Sequence, residues 1–497
     1  METELKFALS PEARRYAEQQ VLNSSGEQAV ETDRTVYFDT PDRALRKAGF
    51  SLRVRHRAED NSFIQTAKSA GSGTFRRREW EWPVAGPDLD RDRLHEMRRL
   101  PSLARDASHL SPVFRTEVRR TRRLLMPAAG TKVELAFDEG AIVADGSSEP
   151  LSELEIELKE GSEEALLRLG LDLVRDAPLA LLSESKAERG YHLADGTRPE
   201  ARKPPPIKVD PDRALPEAFR ALADGVVDHL LSNQPAALRG DEQEGIHQMR
   251  VAIRRMRSLL VLFERLLEPH AAGQFEDELR RLGQVLGMAR DWDVFLSESL
   301  KEAVPEKDDT AWAGPLRALG RQRQHAAHQA AKKAILEPAF TRFVLAFRAW
   351  SLAGEGALRS ELLDRPTEDV APRLLSRLAD KVDGRLADAD CDDLESLHSL
   401  RKSAKKLRYG IEYLQAQYNG DSKRYYKRCN ALQKRLGRIN DLASSTRLAG
   451  ELAHDGHLEL APSLGILASR NEALIARQMK KVRKTLRKFE REDRFWT

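Results

Sequence analysis

The chain has 497 residues, of which 40% are hydrophobic, 33% charged and only 6% aromatic. This length exceeds what one ordinary hydrophobic core supports, so two or more domains are expected. The formal net charge of +4 is the small difference between 83 basic and 79 acidic side chains, so the local distribution of charge is more informative than the total.

Three features argue against secretion and membrane insertion. The first ten residues, METELKFALS, are charged from the second position and lack the apolar core of a signal peptide. No stretch approaches the ~18–20 consecutive apolar residues that a transmembrane helix needs. The two cysteines, Cys391 and Cys429, lack metal-ligand spacing and do not suggest a disulfide framework. The sequence therefore predicts a soluble, cytoplasmic protein with no membrane partner.

The first 190 or so residues alternate apolar and polar side chains with the period of a β-strand. Helices are predicted near residues 10–22 and 162–176. The number and spacing of the strands favour an antiparallel barrel or a strongly curved sheet. The eight predicted strands are ETELKF, TVYFD, FSLRVRH, SFIQTAK, RREWEWPV, TEVRRTRRLL, KVELAFDEG and LSELEIELK.

A segment rich in proline and charge, DGTRPEARKPPPIKVDPDR, follows the strands and has the composition of an extended linker. Beyond it the pattern changes to a 3.6-residue period with few β-branched residues, which predicts an all-helical half. The fold class is thus a multidomain α+β protein. We predict a strand domain over 1–196, a linker over 197–212 and a helical domain over 213–490.

Charged residues occupy one face of nearly every predicted strand. In the first strand, Glu2, Glu4 and Lys6 alternate with Leu5 and Phe7. An open sheet with one solvated side is the simpler explanation of such faces. A sheet that closes with its charged faces inwards would instead form a tunnel, and it would explain why acidic and basic strands are separate. The other shared faces hold Arg53 and Arg55, Glu134 and Asp138, and Glu153, Glu155 and Glu157.

A tunnel lined with both signs of charge has a clear chemical use. Carboxylates are the hard oxygen ligands that Mg²⁺ and Mn²⁺ prefer. Arginine and lysine side chains bind phosphate oxygens, and the guanidinium fork suits them well. Together these groups suit the hydrolysis of a polyanion, because the metal activates water while the cations hold the substrate.

The strand half resembles the CYTH superfamily, the triphosphate tunnel metalloenzymes. ETELKF resembles the E-x-E-x-K signature of that superfamily, and YFDTPDRALRKAGFSLRVR, QTAK, RREWEW, KVELAFDEG, LSELEIELKEG and SKAERGY follow in the family's order. The resemblance implies an eight-stranded antiparallel tunnel that acts on triphosphate-containing substrates with Mg²⁺ or Mn²⁺. Family members include inorganic, thiamine and RNA triphosphatases and one class of adenylate cyclase.

The resemblance also implies roles for individual residues. The implied catalytic residues are Glu2, Glu4, Lys6 and Lys186. The implied metal ligands are Glu2, Glu4, Glu153, Glu155 and Glu157. The implied phosphate-binding residues are Arg53, Arg55, Lys68, Arg120, Arg122 and Arg189, and further inward acids are Glu79, Glu81, Glu134 and Asp138.

The helical half contains one segment twice, HQMRVAIRRMRSLLVLF from His247 and HSLRKSAKKLRYGIEYL from His398. On a helical wheel the apolar residues of each segment lie opposite a basic stripe that contains no acid. The repeat continues in LGMARDWDVF and LGRINDLASS, which argues for an internal duplication with pseudo-twofold symmetry. The two stripes are His247, Arg250, Arg254 and Arg257, and His398, Arg401, Lys405 and Arg408.

A basic stripe is most simply a solvated helix face, but solvated faces usually mix signs to avoid repulsion between neighbours. The segments resemble the CHAD domain, a helical bundle with internal pseudosymmetry that binds inorganic polyphosphate. That resemblance implies that both stripes bind polyphosphate. The stripes contain no aromatic residue for stacking, which argues against nucleic acid as the ligand.

The two halves together predict an inorganic triphosphatase whose helical domain binds polyphosphate. The substrate prediction rests on the pairing with a helical domain, which favours inorganic triphosphate by resemblance. Association with polyphosphate granules in the cytoplasm is a further expectation. Two alternatives stay open at this point: a non-enzymatic protein that binds polyphosphate or targets granules, and a class IV-type adenylate cyclase.

Overall fold

The computed structural model describes residues 2–22, 28–69, 73, 75–96, 109–304, 311–353, 357–358, 362–391, 393–418, 420–454 and 457–496. The chain divides into two compact units. The first, here called the barrel unit, comprises Met1–Ala201, Leu231–Asp241 and Ile335–Ala349. The second, here called the helical unit, comprises Arg202–Leu230, Glu242–Ala334 and Trp350–Thr497. Two stretches from the helical half of the sequence therefore belong to the barrel unit.

The barrel unit contains eight antiparallel strands that close into a barrel. The strands follow the order β5-β4-β3-β2-β6-β7-β8-β1, and β1 pairs again with β5 to complete the circle. A short ninth strand, β9 (Ala180–Leu181), also pairs with β1. The predicted eight-stranded antiparallel barrel is confirmed. Its strands are β1 Glu2–Ala8, β2 Gln28–Asp39, β3 Phe50–Arg57, β4 Ser62–Ser69, β5 Arg76–Val84, β6 Ser111–Ala128, β7 Thr131–Ala144 and β8 Ser147–Glu160.

The charged faces of the strands point into this barrel. Residues opposite each other across a ladder share a face, and Lys6 lies opposite Glu155 while Arg120 lies opposite Asp138. The alternate residues point away from the barrel interior, and among them Leu5 is fully buried on the outer face of the barrel. The open, solvated sheet is thereby excluded. The covering helices are α1 Pro11–Leu22, α2 Ala44–Lys47, α3 Arg91–Glu96 and α4 Glu163–Asp176.

Apolar side chains fill the barrel interior at one end. Phe114 and Ile142 lie on the inward face and pack with Tyr37 and Leu151. Helix α5 (Lys186–Asp195) adds Tyr191 to this cluster. The charged part of the interior is consequently confined to the rest of the barrel.

The helical unit contains long helices, as the 3.6-residue period predicts. Both predicted apolar faces are buried, including Met249 and Leu260 in the first segment and Leu407 in the second. None of the helices formed by the described residues has the length and apolar character needed to cross a bilayer. The helices of the second half of the chain are α6 Leu215–Ser232, α7 Gln234–Arg239, α8 Glu242–Phe263, α9 Pro269–Val294, α10 Leu300–Ala303, α11 Ala313–Leu336, α12 Pro338–Leu352, α13 Thr367–Ala387, α14 Leu394–Leu414, α15 Ser422–His454 and α16 Ala461–Glu490.

The repeated segments form two helix pairs. Helix α8 packs against α9, α14 packs against α15, and α8 also contacts α14. The first helix of each pair carries one basic stripe, so the pairing of α8 with α14 brings the two stripes into one region. Cys391 and Cys429 are both free thiols.

Candidate functional site

The barrel encloses a cavity of about 250 Å³ that is lined mainly by charged side chains. Ten lining side chains are basic and eight are acidic, which leaves a formal excess of two positive charges. All but three of the residues predicted for the tunnel line this cavity. The predicted residues at the cavity wall are Glu2, Glu4, Lys6, Arg53, Arg55, Lys68, Glu79, Glu81, Arg120, Arg122, Glu134, Glu155, Glu157 and Lys186.

Three predicted residues lie away from the cavity wall. Asp138 and Glu153 are almost completely buried and both contact Lys186. Arg189 donates hydrogen bonds to Glu149 Oε1 and to the carbonyl oxygen of Pro150, each at 2.8 Å. The structure therefore does not bring Arg189 to the cavity, because these local acceptors hold its guanidinium elsewhere.

The wall also contains four charged residues that are not among those predicted from the sequence. They are Glu31, Arg57, Arg77 and Lys159. Extending the period of two by one step would have found three of them, since Arg57 follows Arg55, Arg77 precedes Glu79 and Lys159 follows Glu157. Glu31 was missed because β2 begins several residues before the predicted strand TVYFD.

A trio of carboxylates has the spacing of a metal site. Oxygens of Asp138, Glu153 and Glu155 lie within 4.8 Å of one another, and this is the group of three potential ligands found among the described residues. Lys186 Nζ sits among them, 2.7 Å from Asp138 Oδ2 and 3.0 Å from Glu155 Oε1, and it also contacts Glu153. Arg120 adds contacts to Asp138 and Glu155 at 2.5 and 2.8 Å.

The trio is therefore already neutralised. Although burial opposes the charge, Asp138, Glu153 and Glu155 raise the pKa of Lys186 well above its usual range. Burial likewise opposes ionisation of Glu155, yet Lys186, Lys6 and Arg120 hold the pKa of this carboxyl well below its usual range. The trio could bind a metal only if the lysine gave way, because an ammonium and a divalent cation would compete for the same oxygens.

A second acidic region forms where β1 begins. Lys68 Nζ lies 2.8 Å from Glu2 and 3.0 Å from Glu79, and Lys6 Nζ lies 2.9 Å from Glu4. Burial, together with Glu4 and Glu79, raises the pKa of Glu2 to about 7. Despite its burial, Lys6 and Lys68 lower the pKa of Glu4 to about 2.

Glu2 and Glu4 offer carboxylate oxygens of the kind a hard divalent cation prefers, but Lys68 and Lys6 contact them, so a bound cation would share or displace these ammonium groups. Glu4 is ionised at neutral pH, while Glu2 is only partly ionised because its negative charge is incompletely compensated. A cation bound beside Glu2 would supply the missing compensation, and carboxylate oxygens are the donors that hard cations prefer.

Strand β3 presents arginines with unused donors to the cavity. Arg53, Arg55 and Arg57 form a row on β3, and the Nε–H group of each is buried and makes no hydrogen bond. Their ion pairs are long, with Arg53–Glu79 at 3.7 Å and Arg55–Glu81 at 3.4 Å. Buried donors without acceptors are costly, so this row is suited to a ligand rich in oxygen acceptors.

The helical unit holds a second charged cluster. Arg250 Nη1 donates to the carbonyl oxygen of Gly287 and to Asp291 Oδ1, both at 2.8 Å. A Cβ at Gly287 would lie 3.5 Å from the Arg250 guanidinium, and one at Gly437 would lie 3.8 Å from Arg401 Nε. The two repeats thus use equivalent glycines beside equivalent arginines, which supports the predicted duplication.

Three cations at the centre of this cluster make no direct ion pair with a described residue, although Asp441 and Asp291 favour the charge of Arg401 from a longer distance. Among the described residues, Arg254, Arg401 and Lys405 take part in no ion pair within 4.0 Å, and the Nε–H groups of both arginines are buried without an acceptor. Burial, then Arg254, Arg401 and Arg250, lowers the pKa of Lys405 well below its usual range. Burial, with Arg250, Arg401 and Arg408, also lowers the pKa of Arg254. Residues from both stripes therefore repel one another.

The outer cations of the stripes do have partners. Arg257 pairs with Glu276 at 2.7 Å. Arg408 pairs with Glu412 at 2.8 Å and lies 3.9 Å above the ring of Tyr409. The row of cations without an ion pair is consequently shorter than the sequence pattern implies.

The two histidines have different surroundings. Burial, then Arg290, Arg254 and Arg250, lowers the pKa of His247 to about 4, and its Nδ1 atom is buried without a hydrogen bond. His398 Nδ1 lies 2.6 Å from Asn440 Oδ1. His247 is therefore neutral at pH 7 and faces the cationic cluster with an unused ring nitrogen.

Comparisons with known proteins divide along the same two halves. Residues 1–191 match the family model of the CYTH domain, and residues 221–450 match that of the CHAD domain. An inorganic triphosphatase of Haemophilus influenzae is 35% identical over 164 residues, which cover 32% of this chain and 44% of that protein. The chain thus matches less than half the length of this curated relative.

Two further similarities extend into the helical half. An uncharacterized protein of Mycobacterium tuberculosis is 27% identical over 395 residues, which cover 75% of this chain and 74% of that protein. The crystal structure of the CHAD domain from the plant Ricinus communis is 32% identical, with a TM-score of 0.52, and covers 58% of this chain and 96% of that chain. The cavity of the barrel unit thus falls in the first family match, and both basic stripes fall in the second.

Proposed function

Because this chain belongs to the CYTH and CHAD families, with a CYTH domain followed by a CHAD domain, we propose that it is an inorganic triphosphatase that also binds inorganic polyphosphate. Hydrolysis takes place in the cavity of the barrel unit with Mg²⁺ or Mn²⁺. Polyphosphate binds to the paired stripes of the helical unit. The match to an inorganic triphosphatase over part of the chain supports the choice of substrate.

The observation that carries the proposed hydrolysis is the row of buried arginines with unused donors. Arg53, Arg55 and Arg57 offer buried Nε–H groups that make no hydrogen bond at the wall of the cavity. Phosphate oxygens supply acceptors at every phosphorus atom, so a short phosphate chain would satisfy this row. The excess of two positive charges in the wall is smaller than the charge of a triphosphate, so a divalent cation is needed to balance the complex.

In the proposed hydrolysis, different residues bind the phosphate chain, balance the buried charge and hold the cation. The arginine row holds and orients the phosphate chain, and Lys186, fixed among three carboxylates, keeps the charge of the buried layer balanced. Glu2 and Glu4 would hold the divalent cation, which neutralises phosphate charge and lowers the pKa of a bound water. The barrel wall leaves these side chains little exposed, for example 11% for Lys6 and 18% for Arg53, which strengthens each interaction.

An inorganic substrate is favoured over a nucleotide by the aromatic content of the wall. Tyr37 is the aromatic residue among the wall residues described, and its ring is stacked on Phe114 with centroids 4.4 Å apart. Its hydroxyl accepts a hydrogen bond from Arg53 at 3.4 Å. Tyr37 is thus occupied on one face and at its hydroxyl, and the cavity offers a nucleobase little to recognise.

The three unpaired cations of the helical unit carry the proposed polyphosphate binding. Arg254, Arg401 and Lys405 repel one another, and a phosphate chain would relieve that repulsion along its whole length. Tyr409 lies under Arg408 and is buried, so it is not exposed for stacking a base. A ligand with charge at every unit and no bases therefore fits this surface better than nucleic acid.

The hydrolysis is tested with the purified full chain and either Mg²⁺ or Mn²⁺. Inorganic triphosphate, long-chain polyphosphate and ATP are incubated in parallel, and the products are resolved by length. We expect phosphate release from triphosphate. Cyclic AMP with pyrophosphate from ATP would instead identify a cyclase and contradict the proposal.

A variant separates the two proposed activities. Glu4→Gln removes a carboxylate that is ionised in the cavity, and we expect turnover to fall by at least about 10²-fold while polyphosphate affinity is unchanged. Glu117→Gln is the matched control, because Glu117 is exposed and pairs with Arg115. Equal turnover in the two variants would contradict the proposed site.

A role restricted to binding is the second candidate, and one observation favours it. Lys186 occupies the carboxylate trio that has metal-site spacing. A protein of that kind would bind polyphosphate tightly yet leave triphosphate intact at every divalent cation concentration. Charge reversal at Arg250, Arg254, Arg401 and Lys405 should abolish polyphosphate binding under both candidates, and Arg385→Glu on an exposed helix position is the control.

A further inference from the structure

Part of the barrel unit is built by the helical half of the sequence. Leu231–Asp241, which includes α7, and Ile335–Ala349 both belong to this unit. Both stretches contact the short segment 181–186, which runs from the last residue of β9 to the first residue of α5. That segment ends at Lys186, the residue held among the three buried carboxylates of the site.

The first contact fixes the backbone of this segment. The buried amide of Gln234 donates to the carbonyl oxygen of Leu181 at 2.8 Å and accepts from the Ser183 N–H at 3.3 Å. Thr341 Oγ1 accepts from the Leu181 N–H at 2.9 Å. These side chains satisfy backbone groups that would otherwise be buried without partners. The backbone of residues 181–183 is therefore held on both sides.

The second contact acts at Glu184, two residues before the helix that begins with Lys186. Arg239 contacts Glu184, and its Nη1 lies 3.1 Å from Glu149 Oε1 on β8. Glu184 is buried, which raises the pKa of its carboxyl while Arg239 opposes that rise. Arg239 thus ties the start of α5 to strand β8, and β8 also carries Glu153 and Glu155.

Helix α5 begins just after the contact between Arg239 and Glu184. Ser185 is the N-cap of α5, and it exchanges hydrogen bonds with Glu188 in a capping box. Lys186 is the first residue of the helix and reaches Asp138, Glu153 and Glu155. A shift of the first turn would therefore move the ammonium relative to all three carboxylates.

From these contacts we infer that Arg239 is a positioning residue for the reaction in the barrel cavity. It acts through Glu184 and the start of α5 to hold Lys186 among the carboxylates, without lining the cavity itself. The inference rests on the proposed hydrolysis for its effect on turnover. It also gives the helical half of the sequence a role in the barrel unit, because α7 supplies two of the side chains that hold the Lys186 segment.

The inference is tested in the full chain with Arg239→Gln, Arg239→Lys and Glu184→Gln. We expect kcat for triphosphate to fall by about tenfold or more in Arg239→Gln, with KM little changed, because orientation rather than binding is lost. Arg239→Lys should recover part of the loss. The double variant Arg239→Gln/Glu184→Gln should be no worse than the worse single variant, because both changes break the same contact.

Hydrogen–deuterium exchange gives a readout that does not depend on turnover. The amides of residues 181–190 should exchange faster in Arg239→Gln, while polyphosphate affinity stays equal to that of the parent chain. Arg213→Gln is the control, because Arg213 is exposed and pairs only locally with Asp210 and Glu217 among the described residues. It should change neither quantity.

Three results would overturn the inference. Unchanged exchange over residues 181–190, additive losses in the double variant, or a fall in kcat matched by faster exchange across the whole barrel unit would each do so. A parent chain without turnover would count against the proposed hydrolysis alone. The exchange experiment would still decide whether Arg239 positions the Lys186 segment.

Discussion

The barrel cavity and the basic cluster of the helical unit both contain charged side chains that are largely shielded from water. The charges that surround these side chains have opposite signs in the two regions. In the barrel, Lys186 contacts three carboxylates and its pKa is raised. In the helical unit, Lys405 has cations as its nearest charged neighbours and its pKa is lowered. The direction of the lysine pKa shift thus distinguishes the two regions.

This difference separates a balanced site from an unbalanced one. A balanced site is stable when empty, and it can receive a phosphate chain together with a cation of compensating charge. An unbalanced cluster is destabilising when empty, so a polyanion binds with the added gain of relieving repulsion. Four experiments, from the largest expected effect to the smallest, would break or sharpen this contrast.

Removing the lysine from the barrel should have the largest effect. Lys186→Ala leaves Asp138, Glu153 and Glu155 without their main counter-charge, and we expect a loss of about 3–5 kcal/mol in the free energy of unfolding. Turnover should be lost as well. Thermal unfolding should then be more sensitive to Mn²⁺ than in the parent chain, because the vacated trio has metal-site spacing.

The control for this change is Lys132→Ala. Lys132 pairs with Glu160 at 3.7 Å on the barrel surface, and the pair is largely exposed. Its removal should change stability by less than about 0.5 kcal/mol. If Lys186→Ala were equally mild, the view of the barrel as a balanced site would be wrong.

Packing of α5 on the apolar end of the barrel should have the next largest effect. A methyl group at Gly190 would overlap the ring of Phe114. Gly190→Ala should therefore cost about 1–3 kcal/mol of stability and lower turnover through Lys186 on the same helix. Gly384→Ala, at an open helix position, should instead stabilise the protein by up to about 1 kcal/mol. Calorimetry and phosphate release would check both variants.

The helical cluster should respond in the opposite sense to the barrel. Lys405→Met removes a half-buried cation that is repelled by Arg254 and Arg401, and we expect a gain of about 1 kcal/mol in stability. Polyphosphate affinity should fall about tenfold, the equivalent of 1.4 kcal/mol. Lys402→Met, at an exposed position, is the control. Normal polyphosphate binding by Lys405→Met would show that the cluster is not the binding surface.

The smallest effect concerns the pH dependence of stability. The pKa of His247 is lowered to about 4 in the folded protein. Between pH 6.5 and 4 this imidazole is therefore protonated in the unfolded chain but largely neutral in the folded chain. Stability should therefore fall as the pH is lowered through this range. Polyphosphate should reduce the fall, because its charge favours the protonated ring.

This effect is measured as the difference in thermal unfolding between the parent chain and His247→Gln from pH 7 to pH 4.5. The variant should lose less stability than the parent, and His325→Gln at an exposed position should behave as the parent does. Identical curves for the parent and His247→Gln would contradict the assignment of this histidine to the cationic cluster.

The local patterns of the sequence were sufficient for the secondary structure and for the facing of its side chains. All eight predicted strands are present, and helices occur at both predicted positions in the first half. Alternation placed Glu2, Glu4 and Lys6 on one face, and one further step of the same rule would have added Arg57 and Lys159. Periods of 2 and 3.6 residues are properties of the local backbone, so neighbouring residues reveal them.

The partners of the charged groups depend on contacts that are distant in sequence. No local pattern indicates that Lys186 reaches Asp138 and Glu153, that Arg189 turns to Glu149, or that Arg239 joins the barrel unit. Strand register, barrel closure and helix packing bring these groups together, and each arises from long-range packing. Alternation thus assigns a residue to the inside of the barrel, whereas its charge balance, and hence its chemistry, follows from residues far along the chain.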